Sequence, residues 1–378
     1  MKRSEQAPLR CWAEIDLAAI QHNARVATRT SRCGIIGVIK ANAYGLGAVP
    51  VARALSGLVE MFGVATLDEA LELRAGGIRT TPILLLGARV PEERELVVRN
   101  GFVPCISSVP EAKAWDALAA KRCKSLFPVH VDIDTGMGRM GFTEGDWNAR
   151  TIRALAALKN LRIEGIASHF PSADEDQRFT RRQMRRFGLL QMLAVEHGLA
   201  PRMAHIGNSA GILSSPELHT VSNFARPGLM LFGVSPIAAR QHLLKPALTW
   251  KTHITLVREL PRGSSISYGR TFVTKKPATR VATLAAGYAD GYPRALSGRR
   301  ADILIRGRRC ALLGRVTMDQ IMVDVTGVPA KAGDEAVLIG SQGREHISVA
   351  EVAAKAGTIP WEILTRISRR VTRTYLPS

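Results

Sequence analysis

From Cys33 onward the chain alternates short, almost continuously apolar runs with stretches of helical composition, and this alternation restricts the fold more than any other feature. Gly34–Lys40, Phe62–Thr66, Pro82–Leu86, Phe102–Ser107, Val129–Asp134, Gly165–His169, Met203–Gly207 and Gly228–Gly233 read as strands. Between most of them lie amphipathic or Ala/Leu/Arg/Glu-rich stretches, such as Asp68–Ala75 and Asp176–His197. Strands that are apolar throughout are expected where helices cover both faces of a parallel sheet. Roughly eight strand-then-helix units predict an N-terminal (β/α)8 TIM-type barrel, and the ~250 residues usual for that fold are available. The helices of the last two units are weak.

After about Lys245 the texture changes. Thr252–Val257, Val281–Ala286, Asp302–Ile305, Ile321–Val325 and Ala336–Ile339 are short β-rich runs separated by Gly, Pro and charged turns. They predict a mostly antiparallel β domain, with one helix at Ser348–Gly357 and a final strand or extended segment over Ile363–Tyr375. The expected division is a barrel over residues 1–243, its first few residues packing with the C-terminal domain, and a β domain over 244–378.

Composition excludes several classes. With 46% hydrophobic and 22% charged residues the chain has ordinary soluble composition. No apolar run approaches the ~18 residues of a spanning helix. Met1–Trp12 is polar and shows no secretory signal, so the expected location is cytoplasmic with no membrane partner. Cys11, Cys33, Cys105, Cys123 and Cys310 are scattered without C-x-x-C spacing; they read as reduced packing thiols, with no metal site. The net charge of +20 is spread along the chain, with short clusters such as Arg181-Arg182 and Arg185-Arg186. Lacking a basic arm or an aromatic-rich RNA motif, it reads as a solvated surface that also draws in anionic small molecules, not as a nucleic-acid footprint.

A barrel carries its chemistry at the C-terminal ends of its strands. The first run ends Gly37-Val38-Ile39-Lys40-Ala41-Asn42-Ala43-Tyr44-Gly45-Leu46-Gly47. A lysine at a strand end suits a Schiff-base nucleophile, because partial burial lowers its pKa and frees its lone pair. A strand-end lysine alone is more often a salt-bridged rim residue; the whole string is more specific. It resembles the pyridoxal-phosphate attachment signature of the alanine racemase family, and the likeness extends from Trp12-Ala13-Glu14-Ile15-Asp16 to the Ile367–Tyr375 segment. That resemblance implies a barrel followed by a β domain, a pyridoxal 5'-phosphate cofactor, and a homodimer with active sites shared between subunits. It implies racemisation of alanine, supplying D-alanine for peptidoglycan.

The resemblance also assigns roles. Tyr44 falls on a tyrosine that bonds the cofactor phosphate. Asn208 and Ser209 match an Asn-Ser pair whose serine does the same, and Gly228 and Leu229 match positions whose amides contact that phosphate. Arg226 matches the arginine facing the pyridine nitrogen, where a permanent positive charge disfavours a ring proton and leaves a less delocalised, short-lived carbanion. His169 matches the histidine lying against the ring. Arg139, in Asp134-Thr135-Gly136-Met137-Gly138-Arg139, matches the arginine that reaches the phenolic oxygen and the substrate carboxylate. Racemisation needs a base on each face, and Lys40 and Tyr268 match them, Tyr268 coming from the partner subunit; a phenol needs cationic neighbours to act as a base near neutrality. Tyr288, in Gly287–Arg294, matches a tyrosine lining the substrate channel. Met318 matches an amide on the substrate carboxylate, and Asp319 a gate residue beside it.

Two positions depart from the pattern. Asp132 stands where many members have a carbamylated lysine facing the arginine matched by Arg139, so Asp132 is expected to supply that negative charge directly, or to pair elsewhere. Arg369, in Ile367-Ser368-Arg369-Arg370-Val371, stands where a tyrosine is usual near the phosphate and substrate; an arginine there can bind phosphate and alters the pocket wall, leaving serine open as a substrate. Rival readings are a broad-specificity racemase of the same architecture, a decarboxylase sharing the plan, and a silent cofactor-binding regulator. The absence of a signal opposes the first, the Lys40–Gly47, Tyr288 and Met318 strings the second, and the two bases the third.

Overall fold

The computed structural model describes residues 9–377, so most of the polar N-terminal segment read above lies outside the described residues. The described chain divides into two units. One comprises Ala19–Ala43 and Ala48–Lys245. The other holds the residues up to Ala18, the short stretch Tyr44–Gly47, and everything from Pro246 onward.

In the first unit eight parallel strands close into a barrel. They are Gly34–Val38, Met61–Val64, Ile83–Leu85, Val103–Ile106, Phe127–Asp132, Leu161–Ala167, Met203–His205 and Phe224–Ala225. The first pairs with the second through Ile36 and Met61 and with the eighth through Gly34 and Phe224, which shuts the ring. Ile36, Met61, Leu84, Val103, Cys105 and Met203 form one buried cluster. His130 and His205 are also completely buried.

The helices begin where the sequence supplies caps. Thr66 accepts from the Glu69 amide while the Glu69 carboxylate accepts from the Thr66 amide, both at 3.2 Å, opening Leu67–Ala75 with a reciprocal cap. Asp176 accepts from Phe179 N at 2.8 Å and opens the helix Gln177–Glu196. That helix buries Met184, Phe187, Leu190 and Ala194, the spacing of one inward face. Leu189, Met192 and Val195 lie on its outer side, each at least 60% exposed.

The eighth strand differs from expectation. Gly228–Gly233 is not a strand: Leu229–Phe232 forms a buried 3-10 turn, and the strand is the two-residue Phe224–Ala225 before it. A short run buried on all sides carries no periodicity to separate strand from helix, and a two-residue strand is too short to leave a pattern. The expected segment Ile363–Tyr375 likewise resolves into a helix, Pro360–Thr365, and a strand, Thr372–Leu376. Pro360 sits in the first helical turn, where its fixed φ and missing N–H are tolerated.

The second unit is a mostly antiparallel sheet. Its order runs Glu345–Ile347, Glu335–Gln342, Asp302–Ile305, Arg308–Leu313, Ile321–Asp324, Ala278–Leu284, Leu248–Pro261, Cys11–Asp16, Thr372–Leu376. A further pairing of Trp250 with Ile339 closes six of these strands into a ring. Cys11–Asp16 is antiparallel to Leu248–Pro261 and parallel to Thr372–Leu376. Trp250 and Tyr292, both fully buried, meet edge-on inside. The helix Val349–Ala356 has Ser348 as its N-cap and Gly357, at φ 73°, as its C-cap, the ends read from sequence. The five cysteines are free, and Cys123 alone of them is not buried. Among the described residues no helix is long and apolar enough to cross a membrane.

The two faces of Gln177–Glu196 give a paired test. Phe187→Ala is expected to destabilise the protein by about 3–5 kcal/mol, and Leu189→Ala by no more than about 0.5 kcal/mol, in urea unfolding. Equal losses would contradict the burial described.

Candidate active site

Lys40 stands two residues beyond the first barrel strand, which ends at Val38 and not at Lys40 as expected. The reason is a left-handed turn. Ala41, Asn42, Ala43 and Tyr44 have φ of 52°, 54°, 50° and 54°, and a backbone in that region cannot continue a strand. Four consecutive non-glycine residues there cost on the order of 4–8 kcal/mol. Such strain persists only where surroundings over-determine it. Here Ala43 N bonds Ile39 O at 2.8 Å, Ala41 N bonds Glu69 Oε1 at 2.6 Å, and Ala48 N bonds Asn42 Oδ1 at 2.8 Å.

Lys40 is half-buried. Burial lowers its pKa, and the positive fields of Arg139 and Arg226 lower it further, against the opposing field of Glu69. His169 is held well below the ordinary imidazole range by burial, then by Arg226, Arg139 and Lys40, and is neutral. Asp132, at the end of the fifth strand, is raised to about 6 by burial, against the fields of Arg226 and Arg139 and a hydrogen bond from the Cys105 thiol. Arg139 sits on an exposed loop that Asp134 shapes by accepting from the amides of Gly136, Met137 and Gly138. Three cations thus gather at one end of the barrel around Asp132.

Arg226, directly after the eighth strand, is buried. Nη1 donates to His205 Nδ1 and, at 2.6 Å, to His205 O. Nη2 donates to Ser168 O at 2.5 Å and His169 Nδ1 at 3.1 Å. A guanidinium only donates, so both imidazoles present an unprotonated Nδ1. His205 then carries its proton on Nε2 and donates it, at 2.8 Å, to Nδ1 of His130. His130 in turn carries its own proton on Nε2, a buried atom without a partner. Burial and Arg226 push both histidines far down, His130 to about 3. The chain of bonds needs both rings neutral.

Asn208 caps the short helix Ser209–Ser214 by accepting from Gly211 N at 2.9 Å, and donates to Phe170 O at 3.0 Å. Ser209 Oγ accepts from Gly228 N at 3.0 Å and Met230 N at 3.2 Å. The starts of two turns, with Leu229 between the two bonded amides, therefore meet at one hydroxyl. Backbone donors gathered this way suit an anionic oxygen cluster.

The remaining expected residues lie in the β unit. Tyr44 is buried, and burial pushes its phenol upward. Tyr288 N donates to Thr317 O and Ala289 N to Met318 O, both at 3.0 Å. A side chain at Gly287 would lie 2.3 Å from Met318 O, so only glycine lets the two loops touch. Asp319 pairs with Arg370 at 2.7 Å, and Arg370 and Arg10 both reach the fully buried Asp290. Tyr288, Met318 and Asp319 are thus brought together. Tyr268 stands on the turn of the ribbon Ser265–Ile266/Phe272–Val273 and is 72% exposed; Ser267 and Arg270 beside it have φ of 66° and 49°. Arg369 lies on an exposed turn before the last strand.

Sequence reasoning missed Glu69, His130, His205 and Arg373. The Thr66-x-x-Glu69 spacing was a visible capping signal. Histidines inside two apolar runs were a weaker one.

Residues 15–236 match the family model for the alanine racemase N-terminal domain, and residues 247–375 that for its C-terminal domain. An alanine racemase of Carboxydothermus hydrogenoformans is 43% identical over 97% of this chain and 99% of its own length. The crystal structure of alanine racemase from D-cycloserine-producing Streptomyces lavendulae superposes with a TM-score of 0.90 at 36% identity, covering 99% of this chain and 98% of the other. That of alanine racemase from Bartonella henselae, with covalently bound pyridoxal phosphate, gives 0.87 at 30% identity over 98% and 100% of the two chains.

The buried histidines fix a pH dependence. Unfolded imidazoles take up protons below about 6.5 that the folded state refuses. Stability from His130 is therefore complete above that pH and is lost as pH falls toward its folded value of about 3. His130→Gln removes one such group, so its unfolding free energy should fall less steeply between pH 5.5 and 4.5, by about 1 kcal/mol per pH unit. Identical slopes in urea titrations would show that His130 is protonated in the folded protein.

Proposed function

The chain belongs to the alanine racemase family of isomerases, and on that footing we propose that it interconverts L- and D-alanine with pyridoxal 5'-phosphate held on Lys40 and Tyr268 of the partner subunit as second base. The donor set fits this cofactor. An amine made nucleophilic by burial and two guanidiniums suits an aldehyde carbon, Arg226 suits an unprotonated ring nitrogen, and the Ser209–Met230 donors suit a phosphate. When bound, the cofactor accepts the electron pair left as the α-proton departs.

Each residue then has a part. Lys40 Nζ, its ammonium disfavoured by burial and by Arg139 and Arg226, exchanges the proton with the D-enantiomer on one face; Tyr268 Oη does so with the L-enantiomer on the other. Arg139 binds the substrate carboxylate with help from the Met318 amide. Asp319 and Tyr288 border the substrate's path, and Asp132 balances Arg139 and Arg226 in place of a modified lysine. Asn208 shapes the phosphate loop with Gly228 and Leu229, while Tyr44 and Arg369 add donors to the phosphate. His169 lies against the ring. The exposure of Tyr268 on a backbone held in strained conformations supports a homodimer in which this tyrosine serves the neighbouring subunit. A cytoplasmic enzyme supplying D-alanine to peptidoglycan is the physiological role that fits.

The observation that carries the reading is Lys40 just beyond the first barrel strand, with its ammonium disfavoured by burial and two arginines. L-Alanine incubated with the protein in deuterated buffer should yield D-alanine labelled at the α-carbon, with L-serine as the comparison that reports on Arg369. Lys40→Ala should lose visible cofactor absorbance and racemisation together. Tyr268→Phe should keep the absorbance and lose about 10²- to 10⁴-fold in rate. Exchange with retained L-configuration in the wild type, or full activity in Tyr268→Phe, would remove the two-base assignment.

A further inference from the structure

Arg373 lies in the last strand with a half-buried side chain, and its guanidinium is surrounded by main-chain carbonyls. Nε and Nη2 both donate to Gly45 O, at 3.1 and 2.9 Å. Nη2 also reaches Ile367 O at 2.7 Å, and Nη1 reaches Val371 O at 2.7 Å and Ser368 O at 2.5 Å. Burial lowers its pKa, so the charge is kept at a cost, and what it gains in return is a grip on two segments at once. One is Gly45, the residue directly after the left-handed turn Ala41–Tyr44. The other is Ile367–Val371, the turn that carries Arg369.

The surroundings of Gly45 confirm a close fit. A side chain there would lie 2.5 Å from Leu364 O, and one at Gly47 would lie 2.0 Å from the Tyr375 hydroxyl. The stretch Tyr44–Gly47 is therefore seated against the C-terminal segment with no spare room. Three local hydrogen bonds hold the front of the left-handed turn; at its rear, Arg373 holds the carbonyl of the next residue by two. A planar fork matches two bonds to one carbonyl and several more to its neighbours, which a lysine point charge cannot reproduce.

The geometry points to Arg373 as a positioning residue for cofactor retention: by clamping Gly45 O to the carbonyls of Ile367, Ser368 and Val371, it fixes Tyr44, the last residue of the strained turn. Its link to the cofactor rests on the function proposed above; the clamp does not.

Arg373→Met and Arg373→Lys test both parts on the full-length protein. Apo-protein titrated with pyridoxal 5'-phosphate, followed by absorbance, should show a dissociation constant about ten- to a hundredfold higher in Arg373→Met and an intermediate value in Arg373→Lys. Hydrogen exchange should speed up at residues 44–48 and 367–371 and stay unchanged in the barrel helices. Wild-type affinity in Arg373→Met, or a uniform rise in exchange with affinity unchanged, would overturn the proposal and leave Arg373 a general stabiliser. If the wild type takes up no cofactor, the proposed function falls; exchange at residues 44–48 then decides the clamp, and rates equal to wild type in Arg373→Met overturn it.

Discussion

A buried guanidinium bonded only to uncharged acceptors organises the barrel mouth. Arg226 is permanently charged in practice, and its terminal nitrogens are met by two carbonyls and two imidazoles. That arrangement is available because parallel strands end together, so the carbonyls of Ser168 and His205, from adjacent strands, converge on one point. The charge dictates the rest. Imidazoles that accept from it cannot be protonated, and the tautomer set at His205 passes on to His130. The balancing charge is Asp132, itself destabilised by burial and restrained from protonating by the same arginine.

The site is consequently short of negative charge. Lys40, Arg139 and Arg226 face Asp132 and a Glu69 whose carboxylate is already occupied by the Ala41, Ala65 and Thr66 amides. An anionic ligand makes up that shortage, and it opposes a repulsion that otherwise lowers the Lys40 pKa. The depressed pKa has a use before the ligand arrives, since a neutral amine is the form that attacks a carbonyl carbon.

Much of this was legible because it depends on pattern. Seven barrel strands announced themselves as short apolar runs between helices, and the caps at Asp176 and Ser348 marked helix starts. The eighth strand did not, since Phe224–Ala225 owes its conformation to partners on either side and not to its own composition. Leu229–Phe232, which carries the stronger apolar signal, turns because two of its neighbouring amides close on Ser209. The opening strand Cys11–Asp16 is another long-range product, paired with residues more than two hundred positions away. The chemistry-bearing residues stood out through strings such as Lys40–Gly47, whereas Glu69, His205 and Arg373 act through main-chain groups or through other side chains, and no string marks that work.

The left-handed turn after Lys40 shows why those supporting residues matter. A lysine at the end of an ideal strand would be free to follow the rim, and its nitrogen would sample many positions. A turn of four residues in a disfavoured conformation instead sends the chain abruptly into Tyr44–Gly47, which belongs to the β unit. Tyr44 is buried there, and Gly45 beside it is held by Arg373. Strain of that size is stable only with groups committed to each end, and those groups are a glutamate from the cap of Leu67–Ala75 and an arginine from the last strand.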